Sequence, residues 1–245
     1  DRSVGATLVY DSATISYTSP DGRKVEESLA STAVMVDGQA LAREVTDSIA
    51  GVVVVRLPIK IAGDAPLEQA GLGNPALGVA GVFDLGVAKL RFGFEGSYGL
   101  VDDSAVGTYS PLYGRYFAPN TNHLAGQLSL GVATPLVDVR ADLDVGKTYR
   151  TGPREGRSKS HDFVVAGVTA GYTVIPLLSV TLGFDYLKSY GTDPEHDGII
   201  MAASGVRLNA PVVDVGLSTP FILSAEKAIS DTYNVGVQLD ASVHF

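Results

Sequence analysis

Apolar and polar residues alternate one by one along most of this chain, and the alternation is clearest between residues 233 and 245. The apolar positions of this segment are Tyr233, Val235, Val237, Leu239, Ala241, Val243 and Phe245. A period of two is that of a β-strand, because successive side chains of a strand point to opposite faces. One wholly apolar face and one wholly polar face predict a sheet with lipid on one side and water on the other.

Similar segments recur through the whole sequence, whereas helical periodicity is hard to find. We predict about twelve strands, near residues 5–17, 28–44, 49–61, 75–84, 86–99, 122–134, 138–149, 161–174, 178–190, 198–209, 212–222 and 232–245. An even number places both chain ends on the periplasmic side of a single-chain bacterial barrel. The predicted fold class is all-β, a transmembrane antiparallel up-and-down β-barrel that forms one domain over residues 1–245.

The connections between these segments alternate in length. Tight turns are predicted at residues 45–48, 84–86, 135–137, 175–177 and 209–211, and longer loops at 18–27, 62–74, 100–121, 150–160, 191–197 and 223–231. Short periplasmic turns and longer extracellular loops are typical of outer-membrane barrels. The alternative fold, a soluble β-sandwich or lipocalin-like barrel, would point its apolar residues inward and would not require this alternation.

The last strand resembles the C-terminal strand of bacterial outer-membrane β-barrels, which typically ends on phenylalanine. This resemblance implies an outer-membrane location and an assembly signal, formed by Tyr233, Val243 and Phe245, that the barrel assembly machinery recognises. Asp1 is not followed by a basic segment and an apolar stretch, so we expect a mature chain, exported through the periplasm, whose signal peptide has been removed.

A second resemblance is to outer-membrane transporters of the phenol-degradation meta-pathway type. It rests on the order of residues 45–49, 57–58, 71–75 and 77–78. The resemblance implies uptake of small organic compounds across the outer membrane. Residues 71–75 are rich in glycine, but no Lys-Ser/Thr pair or helix follows them, so they indicate a loop that returns into a strand and not a phosphate loop.

Composition narrows the possibilities further. The net charge of −9 and the pI of about 4.8 argue against nucleic acid as a partner, because its phosphates require a basic surface. The longest strongly apolar run, residues 49–55, is far shorter than the roughly 20 residues of a membrane-spanning helix. The absence of cysteine fits passage through an oxidising periplasm.

Charged residues within the strands fall on the polar face, and we expect them to point into the barrel, since charges in hydrocarbon are costly. The predicted pore-lining residues are Arg56, Lys60, Lys89, Arg91, Glu95, Arg140, Asp142, Asp144, Asp185, Asp214 and Asp240. Facing rows of opposite charge would select small polar or charged solutes in a water-filled pore. Alternatively, these groups pair across the lumen and fill it, as in small barrels.

Two loops carry candidate contacts. Residues 100–122 include Tyr109, Tyr113, Tyr116 and Phe117, which either narrow the barrel mouth, bind an apolar ligand, or continue an aromatic girdle above the membrane. Positive charge concentrates at Arg150, Arg154, Arg157 and Lys159, where contact with the phosphates of lipopolysaccharide competes with a plain solvated loop. The acidic stretch 193–197 lacks the spacing of a calcium loop, and we predict no metal site and no cofactor.

A serine hydroxyl needs a neighbouring base, such as histidine, to become a nucleophile, and the chain has four histidines: His123, His161, His196 and His244. Ser160, His161 and Asp162 are consecutive, so their side chains would alternate between faces and could not form a triad alone. We therefore predict no enzyme. The predicted function is an outer-membrane channel or facilitator for passive diffusion of small solutes. The alternatives are a filled barrel that binds lipopolysaccharide, a partner protein or a second copy of itself, and an outer-membrane hydrolase.

Overall fold

The computed structural model describes residues 3–18, 23–65, 68–101, 111–151, 160–191, 198–224 and 233–244. The strands are β1 (Ser3–Thr18), β2 (Lys24–Thr46), β3 (Ile49–Gly63), β4 (Gly71–Leu72), β5 (Ala76–Asp84), β6 (Ala88–Ser97), β7 (Thr121–Ala133), β8 (Val137–Arg150), β9 (Ser160–Ile175), β10 (Leu178–Tyr190), β11 (Ile199–Asn209), β12 (Val213–Ser224) and β13 (Tyr233–His244). One 3₁₀ turn, Gly114–Tyr116, lies between β6 and β7.

Twelve of these strands form a closed antiparallel barrel. Strands that follow one another in the chain pair side by side, and β1 closes the barrel by pairing with β13, with Ser3 opposite His244. The exception is β4, which lies outside this succession and pairs only with Ile59 and Lys60 of β3. The predicted fold class and strand number are confirmed. The prediction of a loop at residues 71–75 is wrong for its first two residues, which form the strand β4. Two residues are too few to show the alternation of apolar and polar side chains that predicts a strand.

The two ends of the barrel differ as predicted. Turns of two or three residues, at 47–48, 85–87, 134–136, 176–177 and 210–212, lie at the same end as Ser3 and His244. Gly86 lets one of these turns close, since its φ of +85° falls in the region that favours glycine. The longer connections are at the opposite end. This is the arrangement of short periplasmic turns and longer extracellular loops.

Apolar side chains cover the outside of the barrel. Examples from different strands are Val79, Phe94, Leu128, Val139, Leu182 and Leu217, all of them exposed. Soluble proteins rarely expose so continuous an apolar surface, which hydrocarbon solvates well. Within the described residues, no helix is long and apolar enough to cross a membrane. The closed barrel and its outer apolar surface place the protein in the outer membrane, as predicted.

The buried apolar core is small and lies inside the barrel. It consists of Ala33, Met35, Ala76, Tyr116 and Phe117, with Tyr113 packed against them. Three of these six residues come from strand walls and three from the connection between β6 and β7. That connection therefore enters the barrel, and it divides the lumen.

Candidate functional site in the barrel lumen

Residues 111–120, here called the plug, fold back from the extracellular end into the lumen. Tyr116 and Phe117 are each only 1% exposed, although they belong to a connection between strands. Besides its apolar contacts, the plug binds the wall through polar and charged groups. Of the predicted loop residues, Tyr113, Tyr116 and Phe117 lie here, and Tyr109 lies outside the described residues.

The hydroxyl of Tyr116 joins two charged wall residues. It donates a hydrogen bond to Glu95 Oε1 (2.6 Å) and accepts one from Arg56 Nη1 (2.8 Å). Burial raises the pKa of Tyr116, so the hydroxyl keeps the proton that it donates. Arg56 also approaches Glu95 Oε2 (3.1 Å) and Asp37 Oδ1 (3.3 Å). The buried Glu95 carboxylate is thus compensated by charge and by hydrogen bonds, as a buried charge must be.

Arg115, the neighbouring plug residue, binds another part of the barrel wall. Its Nη2 donates to Asp144 Oδ2 of β8 at 2.9 Å. Its guanidinium lies 5.0 Å from the ring centre of Tyr116 and 5.3 Å from that of Phe163 on β9. Both distances suit cation–π contact, so Arg115 fastens the plug to β8 and β9.

Asn74 clamps the two ends of the plug connection. Its side-chain oxygen accepts hydrogen bonds from the backbone N–H groups of Leu100 (2.9 Å) and Val101 (3.0 Å). Its side-chain nitrogen donates to the carbonyls of Ala118 (2.8 Å) and Thr121 (3.2 Å). The side chain is fully buried, so each of these bonds replaces water that could not reach the backbone groups.

Gly73 explains why the segment before β5 is rich in glycine. A Cβ atom at this position would lie 2.7 Å from the carbonyl oxygen of Tyr116 and 2.9 Å from Phe117 Cε1. Only glycine lets the backbone come this close to the plug. The backbone N–H of Asn74 completes the contact by donating to Tyr116 O at 2.6 Å.

Ser97, His123 and Glu95 form a buried row of the residue types found in hydrolase triads. Ser97 Oγ lies 2.7 Å from His123 Nδ1, and His123 Nε2 lies 3.4 Å from Glu95 Oε1. The ring nitrogens are used in the reverse order to that of a serine protease triad, and Ser97 Oγ also accepts the backbone N–H of His123. Ser97 lines none of the four cavities described below.

The described residues enclose three cavities in the lumen on the periplasmic side of the plug. One of about 390 Å³ lies against Leu112, Tyr113 and Arg115 of the plug. Another of about 380 Å³ reaches Ser3 and His244 at the periplasmic end. Both are lined by Arg140, Arg207, Gly216 and Asp240, so they adjoin. A third cavity of about 160 Å³ lies beside them.

Six of the predicted pore-lining residues face these cavities without holding the plug: Arg91, Arg140, Asp142, Asp185, Asp214 and Asp240. Arg140 pairs with Asp142 at 2.8 Å, and Asp214 lies 2.9 Å from His244 Nε2. Arg91 and Asp185 make no ion pair within the described part of the chain. The lumen below the plug therefore combines neutralised pairs with unpaired charges of both signs.

The other five predicted pore-lining residues have different surroundings. Arg56, Glu95 and Asp144 hold the plug, although Arg56 and Asp144 also line cavities. Lys60 is buried on β3, lines none of the four cavities and has Asp11 and Asp64 as its nearest charges. Lys89 is exposed and lies 3.7 Å from Asp84 of the adjoining strand.

Sequence reasoning missed several residues of this site. Asp37 and Arg207 line the cavities, and the strict alternation of β2 and β11 would have placed them on the inner face. In the sequence, Gly73 and Asn74 belong to a glycine-rich segment that predicts a loop, and nothing in that segment predicts their contacts with the plug. The pairing of Ser97 with His123 follows from the antiparallel register of β6 and β7, which the sequence does not fix.

The remaining predicted contacts are placed as follows. Arg150 ends β8 and lines a fourth cavity on the extracellular side of the plug, while Arg154, Arg157, Lys159 and Phe245 lie outside the described residues. Val243 lies exposed on the outer face of β13, and Tyr233 is described as backbone only. In the described part of the chain, no group of three or more His, Cys, Asp or Glu side chains is placed to hold a metal ion.

Comparisons with solved structures support the fold. The COG4313 outer membrane channel from Pseudomonas putida F1 matches with a TM-score of 0.69 at 14% identity, over 100% of this chain and 95% of that chain. The beta domain of the Bordetella autotransporter Brka matches with a TM-score of 0.51 at 10% identity, over 100% of both chains. LpxR from Salmonella typhimurium matches with a TM-score of 0.50 at 11% identity, over 99% of this chain and 100% of that chain.

No protein-family model and no curated protein matches the chain in sequence. The resemblance to phenol-degradation transporters therefore stays a prediction. At such low identities the structural matches show the fold alone. That fold, with its alternating turn lengths and its apolar outer surface, is the fold of an outer-membrane β-barrel.

Proposed function

We propose that this protein is an outer-membrane channel through which small solutes diffuse passively, with the plug as its gate. The observation that carries the proposal is the pair of adjoining cavities between the plug and the periplasmic end, about 390 and 380 Å³ in volume. Both are lined by charged and polar side chains, which suits a water-filled path. A lumen that merely filled itself with side chains would leave no such space.

The plug supplies the narrow part of this path. It is anchored at Arg56, Glu95 and Asp144, so it is held inside the lumen against β3, β6 and β8. Solutes that pass it must be small or must displace it. The structural match to an outer membrane channel supports the proposal, since it shows that this fold is used by a channel.

Single-channel conductance of the refolded protein in a planar bilayer tests the proposal. We expect stable ohmic openings of small amplitude, because the plug restricts the lumen. Folding would be checked beforehand by the faster gel migration of the unheated barrel. Correctly folded and inserted protein that passes no ions would contradict the proposal.

A filled, structural barrel is the second candidate, and the anchoring of the plug favours it. Arg115 and Arg56 each pair with a carboxylate, and both donate a hydrogen bond to the Tyr116 hydroxyl, so the plug is firmly held in the lumen. We propose no catalytic role for Ser97 and His123, because both side chains are buried and a substrate carbonyl would have to reach the Ser97 hydroxyl. A silent barrel that binds a partner would favour this second candidate.

A further inference from the structure

The fourth cavity lies on the extracellular side of the plug and has a different lining from the lumen below. Its volume is about 270 Å³, and it is enclosed by the plug and by the extracellular halves of β8, β9 and β10. Apolar side chains form much of its wall, including Leu112 of the plug, Phe163 and Val165 of β9, and Leu187 of β10. This mixture of aliphatic and aromatic walls is typical of sites for small organic molecules.

The charges around this cavity are all of one sign. Its lining includes the guanidinium groups of Arg115 and Arg150, and no acidic side chain lines it among the residues that the structure describes. This is unexpected in a chain with a net charge of −9. Arg115 is already paired with Asp144, whereas Arg150 makes no ion pair within the described ranges. The cavity therefore offers an apolar wall and an uncompensated guanidinium.

We propose that this cavity binds a small amphipathic organic anion, with its carboxylate on Arg150 and its apolar body against Leu112, Phe163 and Leu187. A guanidinium pairs with a carboxylate through two parallel hydrogen bonds, which also fixes the orientation of the ligand. The inference rests on the proposed function in one respect: it identifies the class of solute that the channel captures before the plug.

The size of the cavity limits the ligand. Ligand pockets usually measure about 300–1,000 Å³, so a cavity of about 270 Å³ suits a molecule with a single ring or a short chain. The acyl chains of a membrane lipid would not fit in this space. A free organic acid is thus the occupant that both the volume and the charge favour.

Isothermal titration calorimetry on the whole protein in lipid nanodiscs tests the inference, with benzoate as the probe. Benzyl alcohol, which lacks the charge, and acetate, which lacks the apolar body, serve as comparison ligands. We expect saturable binding of benzoate and much weaker binding of both others. Arg150→Gln should weaken benzoate binding about tenfold, the effect of losing one charge-assisted hydrogen-bonded pair.

Lys89→Gln is the matched control, because it removes one exposed positive charge at the periplasmic end and should leave benzoate binding unchanged. Leu187→Asp, a second variant, places a negative charge in the cavity and should abolish binding. The inference is overturned if benzoate does not bind, if benzyl alcohol binds equally well, or if Lys89→Gln weakens binding as much as Arg150→Gln. Binding of lipopolysaccharide micelles that depends on Arg150, without binding of benzoate, would overturn it in favour of lipid.

The binding and conductance experiments test the site and the channel independently of each other. Protein that binds benzoate as expected but passes no ions would refute the channel and leave the site in place. Protein that conducts but gives no heat with benzoate would refute the site alone.

Discussion

At the scale of single residues, the hydroxyl of Tyr116 stabilises the plug in the lumen, because it forms hydrogen bonds with both Glu95 and Arg56. Tyr116→Phe keeps the ring and removes these two bonds together with the bond from Arg115 Nη2 (3.2 Å), and it leaves a buried carboxylate without one of its donors. We expect the free energy of unfolding to fall by about 1–3 kcal/mol. Urea unfolding in lipid vesicles, followed by tyrosine fluorescence since the chain has no Trp, measures this.

Tyr172→Phe is the control for that measurement. Tyr172 is exposed on the outer face of β9, so loss of its hydroxyl should change stability by much less. Equal stability of Tyr116→Phe and the unchanged protein would show that the bonds to Glu95 and Arg56 do not stabilise the plug.

At the scale of the element, the plug is held at its ends by Asn74 and at its centre by Tyr116 and Arg115. Asn74→Leu keeps the approximate volume and removes all four side-chain hydrogen bonds, so the ends of the plug connection lose their common anchor. We expect larger or more frequent openings in single-channel recordings than in the unchanged protein. The change should be greater than that of Asn74→Asp, which keeps the accepting oxygen.

Asn209→Leu is the matched control for Asn74→Leu, because it removes an amide that bonds Ser179 near a periplasmic turn, away from the plug. It should leave the openings as they are. If Asn74→Leu and Asn209→Leu conduct alike, the plug does not depend on the clamp.

At the scale of the whole molecule, the lumen carries unpaired charges of both signs, and Arg91 and Asp185 both line the cavity of about 160 Å³. Removing the positive charge with Arg91→Gln should shift the reversal potential in a salt gradient toward cation preference. Asp185→Asn should shift it toward anion preference, because fixed charges in a narrow pore act on every ion that passes. Opposite shifts are the expected result.

Lys147→Gln provides the control for these two variants, since Lys147 pairs with Asp162 at 3.4 Å and both side chains are more than 40% exposed. This variant should not move the reversal potential. Shifts of the same sign for Arg91→Gln and Asp185→Asn would mean that ions do not pass between them.

Much of the fold could be predicted from the sequence, because each strand has one face toward lipid and the other toward the lumen. Lipid and water select apolar and polar residues at alternate positions, as in Leu182 and Asp185 of β10, so the pattern is local and can be read from one segment at a time. The missed strand β4 is only two residues long, which is too short to carry a period. Turn lengths are local as well, and they distinguished the two ends of the barrel.

The sequence by itself therefore determined the barrel, its orientation and the inner face of most strands. Only the tertiary structure decided how the lumen is divided, because the deciding contacts join residues far apart in the chain. Arg56 and Tyr116 are 60 positions apart, and Asn74 and Thr121 are 47 apart. No local period marks such pairs: Asn74 is one polar residue in a glycine-rich stretch until closure of the barrel brings the plug against it. Burial then makes each polar group take a partner, and this physical requirement selects the contacts.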